Sequence, residues 1–477
     1  MNWLKKHLSF KADMIITLLN GLVVIGSVFV LNGLIARLHG LDVLGEFLLI
    51  KRTLSAGVGI LLVGMNVGLP NYLSRNFNRA YADNSFILFL VVSVPLSIFL
   101  LGGLLWFGIA GFYQEHFWLY ILFSISISAQ FMAYALYRGY MNMLGANVLQ
   151  LLGTAIIPIL IFSSVSSLND GLFWIGGSVL TIMILAFLSR NRGVNLRKIN
   201  LQKSKELLQY GFERVPSFVS QFILLAGIPI ILAQSVNFES VAYFNSSLSL
   251  VRLSLLFTHP IGMVLLPRIA NKIASGSNAD IKHLLGILLK AGTIFSIIGT
   301  TYIYINASII LQFWLGTVSD SGVIILRFTI LALPFYSFSG LTRSPIDAVS
   351  KRGYNSLVYG LGAVTMVTIF LIGQKFQADL LSNALFSFLI SHIVTGLVSA
   401  FFMKKLYAHQ IWDLKLIRDI IISIVTMLLV HYLVSLVIMP DFTRLIITSV
   451  IYFVIGIILI RLTNTGWLAE LKAKIYA

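Results

Sequence analysis

The sequence predicts an all-α polytopic membrane protein with about 14 transmembrane helices, arranged as two pseudo-symmetric six-helix lobes plus two C-terminal helices. Hydrophobic residues make up 58% of the 477 residues, whereas soluble globular proteins are about 45–50% apolar. Only 11% of the residues are charged, and the mean hydropathy is +0.92. Long apolar segments separated by short basic loops complete the pattern, which excludes an ordinary soluble protein.

Fourteen segments contain the roughly 20 mostly apolar residues that a helix needs to cross the hydrocarbon core. Backbone N–H and C=O groups in lipid need partners within the segment, so each span is expected to be helical. The candidate spans are 13–37, 43–69, 85–107, 117–140, 145–165, 171–189, 208–234, 240–268, 284–306, 320–342, 353–373, 380–402, 416–437 and 442–462.

The basic residues predict the topology. The formal net charge of +17 would suit nucleic-acid binding, but the charges are distributed as in a membrane protein. If loops alternate from an inner N-terminus, 25 of the 34 Lys and Arg residues lie in inner segments and three lie in outer loops. Cytoplasmic loops carry such an excess of Lys and Arg. We therefore expect both termini inside and no nucleic-acid partner.

The two halves of the chain show a weak repeat. A shift of 197 residues aligns Phe47 with Phe244 and Pro70 with Pro267, and further landmarks keep the same register. Six spans separate the two copies, so both halves are expected to have the same orientation. Parallel repeats of this kind are known in transporters, where the substrate site lies between the lobes.

The longest connection, 190–207, is the natural boundary between these halves. We expect an N-lobe at 1–195 with spans 1–6, and a C-lobe at 196–410 with spans 7–12. Residues 411–477, with spans 13 and 14, lie outside the duplication and are expected to be appended.

Several segments resemble one transporter family. They are Gly40–Phe47, Leu69-Pro70, Tyr210–Pro216, Val241–Phe244 and Val264–Arg268. They are similar to the polysaccharide transporter family, the Wzx-type flippases of the multidrug/oligosaccharidyl-lipid/polysaccharide superfamily. Ala242 departs from the pattern, which usually has glycine there.

That resemblance implies two six-helix lobes and transport by alternating access. It implies a substrate of undecaprenyl-diphosphate-linked oligosaccharide, such as the O-antigen units used in lipopolysaccharide biosynthesis. It further implies a multi-pass protein of the bacterial inner membrane. Its partners would be membrane lipid and other polysaccharide-assembly proteins.

Six basic residues lie inside the predicted spans, where a charge costs at least about 2.5–3.5 kcal/mol on insertion scales. They are Lys51, Arg52, Arg214, Arg252, Lys290 and Arg327. Residues of this kind usually face a bundle interior or a wet cavity, and bases with few acidic partners favour an anionic substrate. Arg252 lies about 12 residues, or roughly 18 Å, from the outer end of span 8. The alternative for Arg252 is a buried structural arginine.

The other cations have stronger competing interpretations. Lys51 and Arg52 lie eight or nine residues into span 2, and adjacent helical residues diverge by about 100°. One of the two is expected to face the cavity, although either side chain could instead extend along the helix to the membrane surface. Arg327 lies at a similar depth. For Lys290, nearer the inner side, extension to the surface is the favoured interpretation.

Glu213 is taken as the only carboxylate clearly inside a span. It is expected either to pair with Arg214 or another base, or to couple transport to a H⁺ or Na⁺ gradient. Asn20, Gln221 and Asn245 are candidate sugar contacts, although most intramembrane amides bond neighbouring helices instead.

The predicted activity is flipping of a lipid-linked sugar, because arginine and lysine pair well with phosphate. It needs no catalytic residue, metal or cofactor. A drug or cation exporter would need acidic cavity residues. Two alternatives stay open. A lipid II flippase of MurJ type shares the 14 spans and the basic cavity. A polysaccharide polymerase or ligase would be an enzyme, but the outer loops are too short for the usual catalytic loop.

Overall fold

The computed structural model describes residues 10–106, 116–195, 200–254, 278–349, 353–407, 414–437 and 440–463. Within these ranges the regular secondary structure is entirely helical. The chain forms two compact units, Met1–Asn245 and Ser246–Ala477. The first unit begins with α1 and reaches into α12, the helix in which the boundary lies.

The first eleven helices belong to the first unit. They are α1 (Phe10–His39), α2 (Leu41–Leu61), α3 (Met65–Asn76), α4 (Arg79–Leu88), α5 (Val94–Trp106), α6 (Phe117–Gly139), α7 (Met143–Leu151), α8 (Ile157–Phe162), α9 (Leu168–Asn191), α10 (Leu201–Phe212) and α11 (Val215–Ser235). The next helix, α12, spans Phe238–Arg252.

Eight further helices form the described part of the second unit. They are α13 (Asn278–Ile305), α14 (Ala307–Leu315), α15 (Asp320–Ile330), α16 (Leu333–Val349), α17 (Tyr354–Lys375), α18 (Leu380–Tyr407), α19 (Leu414–Ser435) and α20 (Asp441–Thr463). Helix α13 packs against α16, α19 and α20. The last two helices, predicted as an appendage, therefore contact the helix of predicted span 9.

The described helices agree with the prediction of a multi-pass membrane protein. Twelve helical stretches, three of them made of two numbered helices each, are long and apolar enough to cross a membrane. Helices α2 and α3, bent by 51° at their break, make a thirteenth if the pair crosses as one span. Each predicted span except the eighth has a counterpart among them. Predicted span 8, at 240–268, is described only as far as residue 254.

Two spans contain a π-helical turn directly before a proline. Residues Phe89–Ser93 form such a turn ahead of Pro95, and Leu152–Ile156 form another ahead of Pro158. Proline has no N–H, and its ring clashes with the carbonyl four residues earlier. A wider turn at that point accommodates the ring, so both spans continue through their proline.

The start of span 7 differs from the prediction. The sequence predicted one span over 208–234, but α10 ends at Phe212 and a new helix begins at Val215. Pro216 lies at the start of this second helix, where its missing N–H costs no hydrogen bond. The candidate span is therefore Val215–Ser235, and residues 213 and 214 lie at the break before it.

Helix α2 has a central position in the first unit, because it packs against α1, α6 and α11. Its residues Phe47, Leu49 and Ile50 are fully buried. The helix ends at Leu61, and Val63 and Gly64 then adopt positive φ angles of 45° and 71°. After this break the chain continues as α3, which packs against α6, as α2 does, and against α10.

Candidate substrate-binding site

Arg52 contacts a predicted site residue from another helix. Its Nε donates to the Asn245 side-chain oxygen at 3.3 Å, and its Nη2 donates to the Asn245 backbone oxygen at 3.4 Å. Asn245 is fully buried on α12. These two bonds, both to a neutral residue, fix the direction in which the guanidinium points.

Lys51 points in a different direction from Arg52, as the 100° step between adjacent helical residues predicts. Its Nζ lies 5.5 Å from the centre of the Phe47 ring. That ring packs against Phe123 and Phe162, at centroid distances of 6.4 and 4.9 Å. The Lys51 Nζ is buried and has no hydrogen-bond acceptor among the residues that the structure describes. Lys51 therefore points towards the aromatic interior of the first unit.

Arg252 is the last residue of α12 and is partly buried. It lies seven residues after Asn245, and two helical turns bring residues at this spacing to the same face. At 1.5 Å per residue it lies roughly 21 Å along the helix from Phe238. Its depth in the membrane stays a prediction, and residues 255–277 of the same predicted span lie outside the described ranges.

Arg214 and Glu213 are not inside a span, which corrects the prediction for both. They lie at the break between α10 and α11, and the Glu213 side chain is exposed. Arg214 donates from Nη1 to the Tyr210 backbone oxygen at 2.8 Å, and its guanidinium carbon lies 3.6 Å from the Tyr210 ring centre. An exposed carboxylate outside the span is poorly placed to couple transport to an ion gradient.

Arg327 and Lys290 belong to the second unit. Arg327 donates from Nε to the Tyr304 backbone oxygen at 3.3 Å, and its guanidinium lies 5.3 Å from the centre of that ring. Tyr304 lines a mostly apolar cavity of about 450 Å³ between α13, α16 and α19. Lys290 is a partly buried residue of α13. Neither cation lines this cavity.

Two of the candidate sugar contacts bond other protein groups. Asn20 donates to the side-chain oxygen of Gln150 at 3.2 Å, which joins α1 to α7. Gln221 donates within α11 to the backbone oxygen and hydroxyl of Ser217, at 3.3 and 3.1 Å. Both amides thus have the structural contacts that intramembrane amides commonly make.

The sequence analysis overlooked Glu46, a carboxylate that lies well inside α2. Its oxygen accepts a hydrogen bond of 2.9 Å from the hydroxyl of Tyr120 on α6. Glu46 precedes Lys51 by five residues in the same predicted span, so the printed sequence contained the signal. The interpretation of Glu213 as the only intramembrane carboxylate was wrong.

A second overlooked carboxylate, Asp83, is fully buried near the start of α4. It accepts from the side-chain amide of Asn191 at 2.7 Å and lies 3.8 Å from Arg79. The Tyr140 hydroxyl donates to the oxygen of the same amide at 3.1 Å, and burial raises the pKa of that phenol, which keeps it protonated. The predicted span began at residue 85, which placed Asp83 outside it.

The described residues contain no cluster of three His, Asp or Glu side chains that would hold a metal ion. Arg52 and Asn245 contact each other directly. Lys51 and Arg252 lie on the same two helices, and the remaining predicted residues lie on other helices or at a helix break. Guanidinium groups suit phosphate oxygens, because they present several N–H donors in a fixed plane.

Comparison with known proteins identifies the fold. No protein-family model matches the sequence, and no curated protein matches it. A solved structure of the lipid II flippase MurJ, in an inward closed conformation, matches with a TM-score of 0.68 at 17% identity, covering 96% of this chain and 99% of that chain.

An inward-facing multidrug resistance MATE family transporter of the MOP superfamily matches with a TM-score of 0.66 at 16% identity, over 81% of this chain and 94% of that one. An outward-facing MATE family transporter of the same superfamily matches with a TM-score of 0.58 at 15% identity, over 83% of this chain and 95% of that one. The chain therefore has the fold that MurJ and MATE transporters share.

Proposed function

We propose that this protein is a flippase that moves undecaprenyl-diphosphate-linked oligosaccharide repeat units across the bacterial inner membrane by alternating access through a basic central cavity. O-antigen or a similar surface polysaccharide would be the product. Arg52 and Arg252 would contact the diphosphate, with Lys51, Lys290 and Arg327 as weaker candidates. The domain limits at 195 and 410 remain part of this proposal.

One observation carries the proposal. The guanidinium of Arg52, inside a membrane-spanning helix, is oriented by the neutral amide of Asn245. Oriented guanidinium donors suit a diphosphate, because arginine binds phosphate oxygens with paired N–H donors. Arg252 adds a second guanidinium two turns away from Asn245 on the same helix.

A lipid II flippase is the second candidate, and the coverage of the MurJ match favours it. Both functions involve an undecaprenyl diphosphate and differ in the attached sugars. The basic residues would serve either substrate equally, so discrimination has to come from other polar groups.

The test reconstitutes the full-length protein in vesicles and measures flipping of lipid II and of undecaprenyl-diphosphate oligosaccharides of different sugar composition. Preference for a polysaccharide repeat unit supports the first function, and preference for lipid II supports the second. Failure of an active, correctly folded preparation to move any diphosphate-linked sugar would eliminate both.

Asn245→Asp tests the role of charge at the site. The new carboxylate would form an ion pair with Arg52 and cancel the positive charge of the guanidinium. We expect unchanged or higher thermal stability together with a 10- to 100-fold loss of flipping, because a phosphate contact worth about 1.5–3 kcal/mol is neutralised.

Lys375→Gln is the matched control, because it removes a basic charge at the end of α17, in a predicted outer loop. It should leave flipping within about twofold of the wild type, since a surface charge contributes at most about 1 kcal/mol. Normal flipping by Asn245→Asp would show that Arg52 has a structural role instead.

A further inference from the structure

Helix α10 has the composition of a helix that lies in the membrane surface. Two of its apolar side chains are strongly exposed, Leu201 at 84% and Phe212 at 70%. The same helix carries Lys203 and Lys205 and lies in the basic connection predicted on the inner side. Helices with exposed apolar and basic residues bury the apolar side chains at the boundary between headgroups and acyl chains. This places α10 at the level of the lipid phosphates.

Three tyrosines from three helices meet beside α10. The ring of Tyr72 on α3 stacks on that of Tyr81 on α4, with centroids 5.2 Å apart. The edge contact between Tyr72 and Tyr210 of α10 has a centroid distance of 5.6 Å. We call these three residues the tyrosine cluster. Tyrosine is enriched at membrane interfaces, because its ring is apolar and its hydroxyl is polar.

Each ring of the tyrosine cluster carries one cation. The pairs are Arg75 over Tyr72 at 5.3 Å, Lys203 over Tyr81 at 5.2 Å, and Arg214 over Tyr210 at 3.6 Å. A ring face orients a cation without removing its charge. None of the three forms an ion pair with a carboxylate in the described part of the chain.

One carboxylate, Glu206, accepts the Tyr81 hydroxyl at 2.6 Å. Three cations and this carboxylate leave a net charge of about +2 at a surface expected to lie level with the phosphates.

We propose that the tyrosine cluster and its three cations bind the phosphate of an anionic phospholipid in the inner leaflet. The positive charge complements the lipid phosphate, and the three rings lie where aromatic side chains border acyl chains. Anionic leaflets attract basic residues near the membrane surface, by about fivefold in affinity for each Lys or Arg. A bound headgroup would contact α3, α4 and α10 together and so hold α10 at the bilayer surface.

The experiment measures binding of spin-labelled phosphatidylglycerol to the full-length protein in phosphatidylcholine nanodiscs. The test variant is Arg75→Gln/Lys203→Gln, which leaves Arg214 in place. The matched control is Lys205→Gln/Lys404→Gln, which removes two exposed basic residues of the predicted inner side that have no ring contact in the described structure. We expect the test variant to lose at least about tenfold more affinity than the control, because only the test variant removes charge-assisted hydrogen bonds to the headgroup phosphate.

Two further arms make the outcome decisive. Tyr72→Leu keeps all three cations and removes the central ring, and we expect it also to weaken binding of phosphatidylglycerol. Equal losses in the test and control variants would overturn the proposal, because the attraction would then be general. Farnesyl diphosphate that displaces the labelled lipid at concentrations far below those of phosphatidylglycerol would also overturn it, since the site would then select a prenyl diphosphate. These readouts do not depend on flipping.

Discussion

Two glycines from different helices lie in close contact, and this contact gives a specific prediction. Gly64 at the end of α2 and Gly211 in α10 meet backbone to backbone. A Cβ added to Gly211 would lie 1.7 Å from the Val63 carbonyl oxygen. Carbon–oxygen contacts are normally no shorter than about 3.3 Å, so the backbones would have to separate by about 1.6 Å. Gly211→Ala therefore cannot fit by rotation of a side chain.

The size of the effect follows from the costs of overpacking. Inserting one methyl group into a well-packed site typically costs about 1–3 kcal/mol. The contact lies in a unit of 245 residues, for which 1 kcal/mol lowers the melting temperature by about 2–4 °C. We expect Gly211→Ala to melt about 2–12 °C below the wild type, as measured by tryptophan fluorescence on the purified protein.

Gly177→Ala is the matched control. Gly177 lies within α9, and a Cβ there would meet no atom within 4 Å. Because alanine is the better helix former by about 1 kcal/mol, this variant should melt at or slightly above the wild-type temperature. If Gly211→Ala melts at the same temperature as the control, Gly64 and Gly211 are not in close contact in the protein and the reasoning fails.

Two further predictions concern hydrogen bonds to carboxylates. Tyr120→Phe removes the hydroxyl that donates to Glu46 inside α2 and should lower the free energy of unfolding by about 1.5–3 kcal/mol. Tyr134→Phe on the same helix is the control and should have little effect. Equal melting temperatures of the two variants would contradict this prediction. The backbone N–H of Ser382 donates to Asp379 at the start of α18 and lowers the pKa of that exposed carboxyl. Because the pKa is lowered in the folded state, this stabilisation is fully present above the ordinary pKa of aspartate and is lost as pH falls through the folded-state pKa. In Asp379→Asn, the free energy of unfolding should therefore fall less steeply towards acid pH than in the wild type.

Hydropathy was sufficient to locate the spans but not their internal breaks. The predicted span 2, at 43–69, is apolar throughout, yet the helix ends at Leu61 and restarts at Met65. An apolar segment has the same hydropathy whether it is straight or bent. The bend depends on Gly64 in a left-handed conformation and on close packing against Gly211, which is far away in sequence.

The same limitation explains the error at Glu213 and Arg214. The window over 208–234 has enough apolar residues to qualify as one span, because Phe212 and Val215 flank the charged pair. The structure ends one helix at Phe212 and begins the candidate spanning helix at Val215. Pro216 was the available signal, since proline is well placed in the first turn of a new helix. A charged pair shortly before a proline favours the start of a new helix over a pair of charges inside one membrane-spanning helix.

The adjacent bases of α2 show what hydropathy and charge counting leave undetermined. Both residues have the same depth and sign, so sequence gives them the same predicted role. Their neighbours distinguish them: Arg52 contacts an amide of α12, whereas Lys51 lies over Phe47 within an aromatic packing region. A phosphate contact needs a cation whose donors are oriented, and Asn245 orients those of Arg52. Lys51 would need a partner inside the first unit, so the proposed function depends more strongly on Arg52 than on its neighbour.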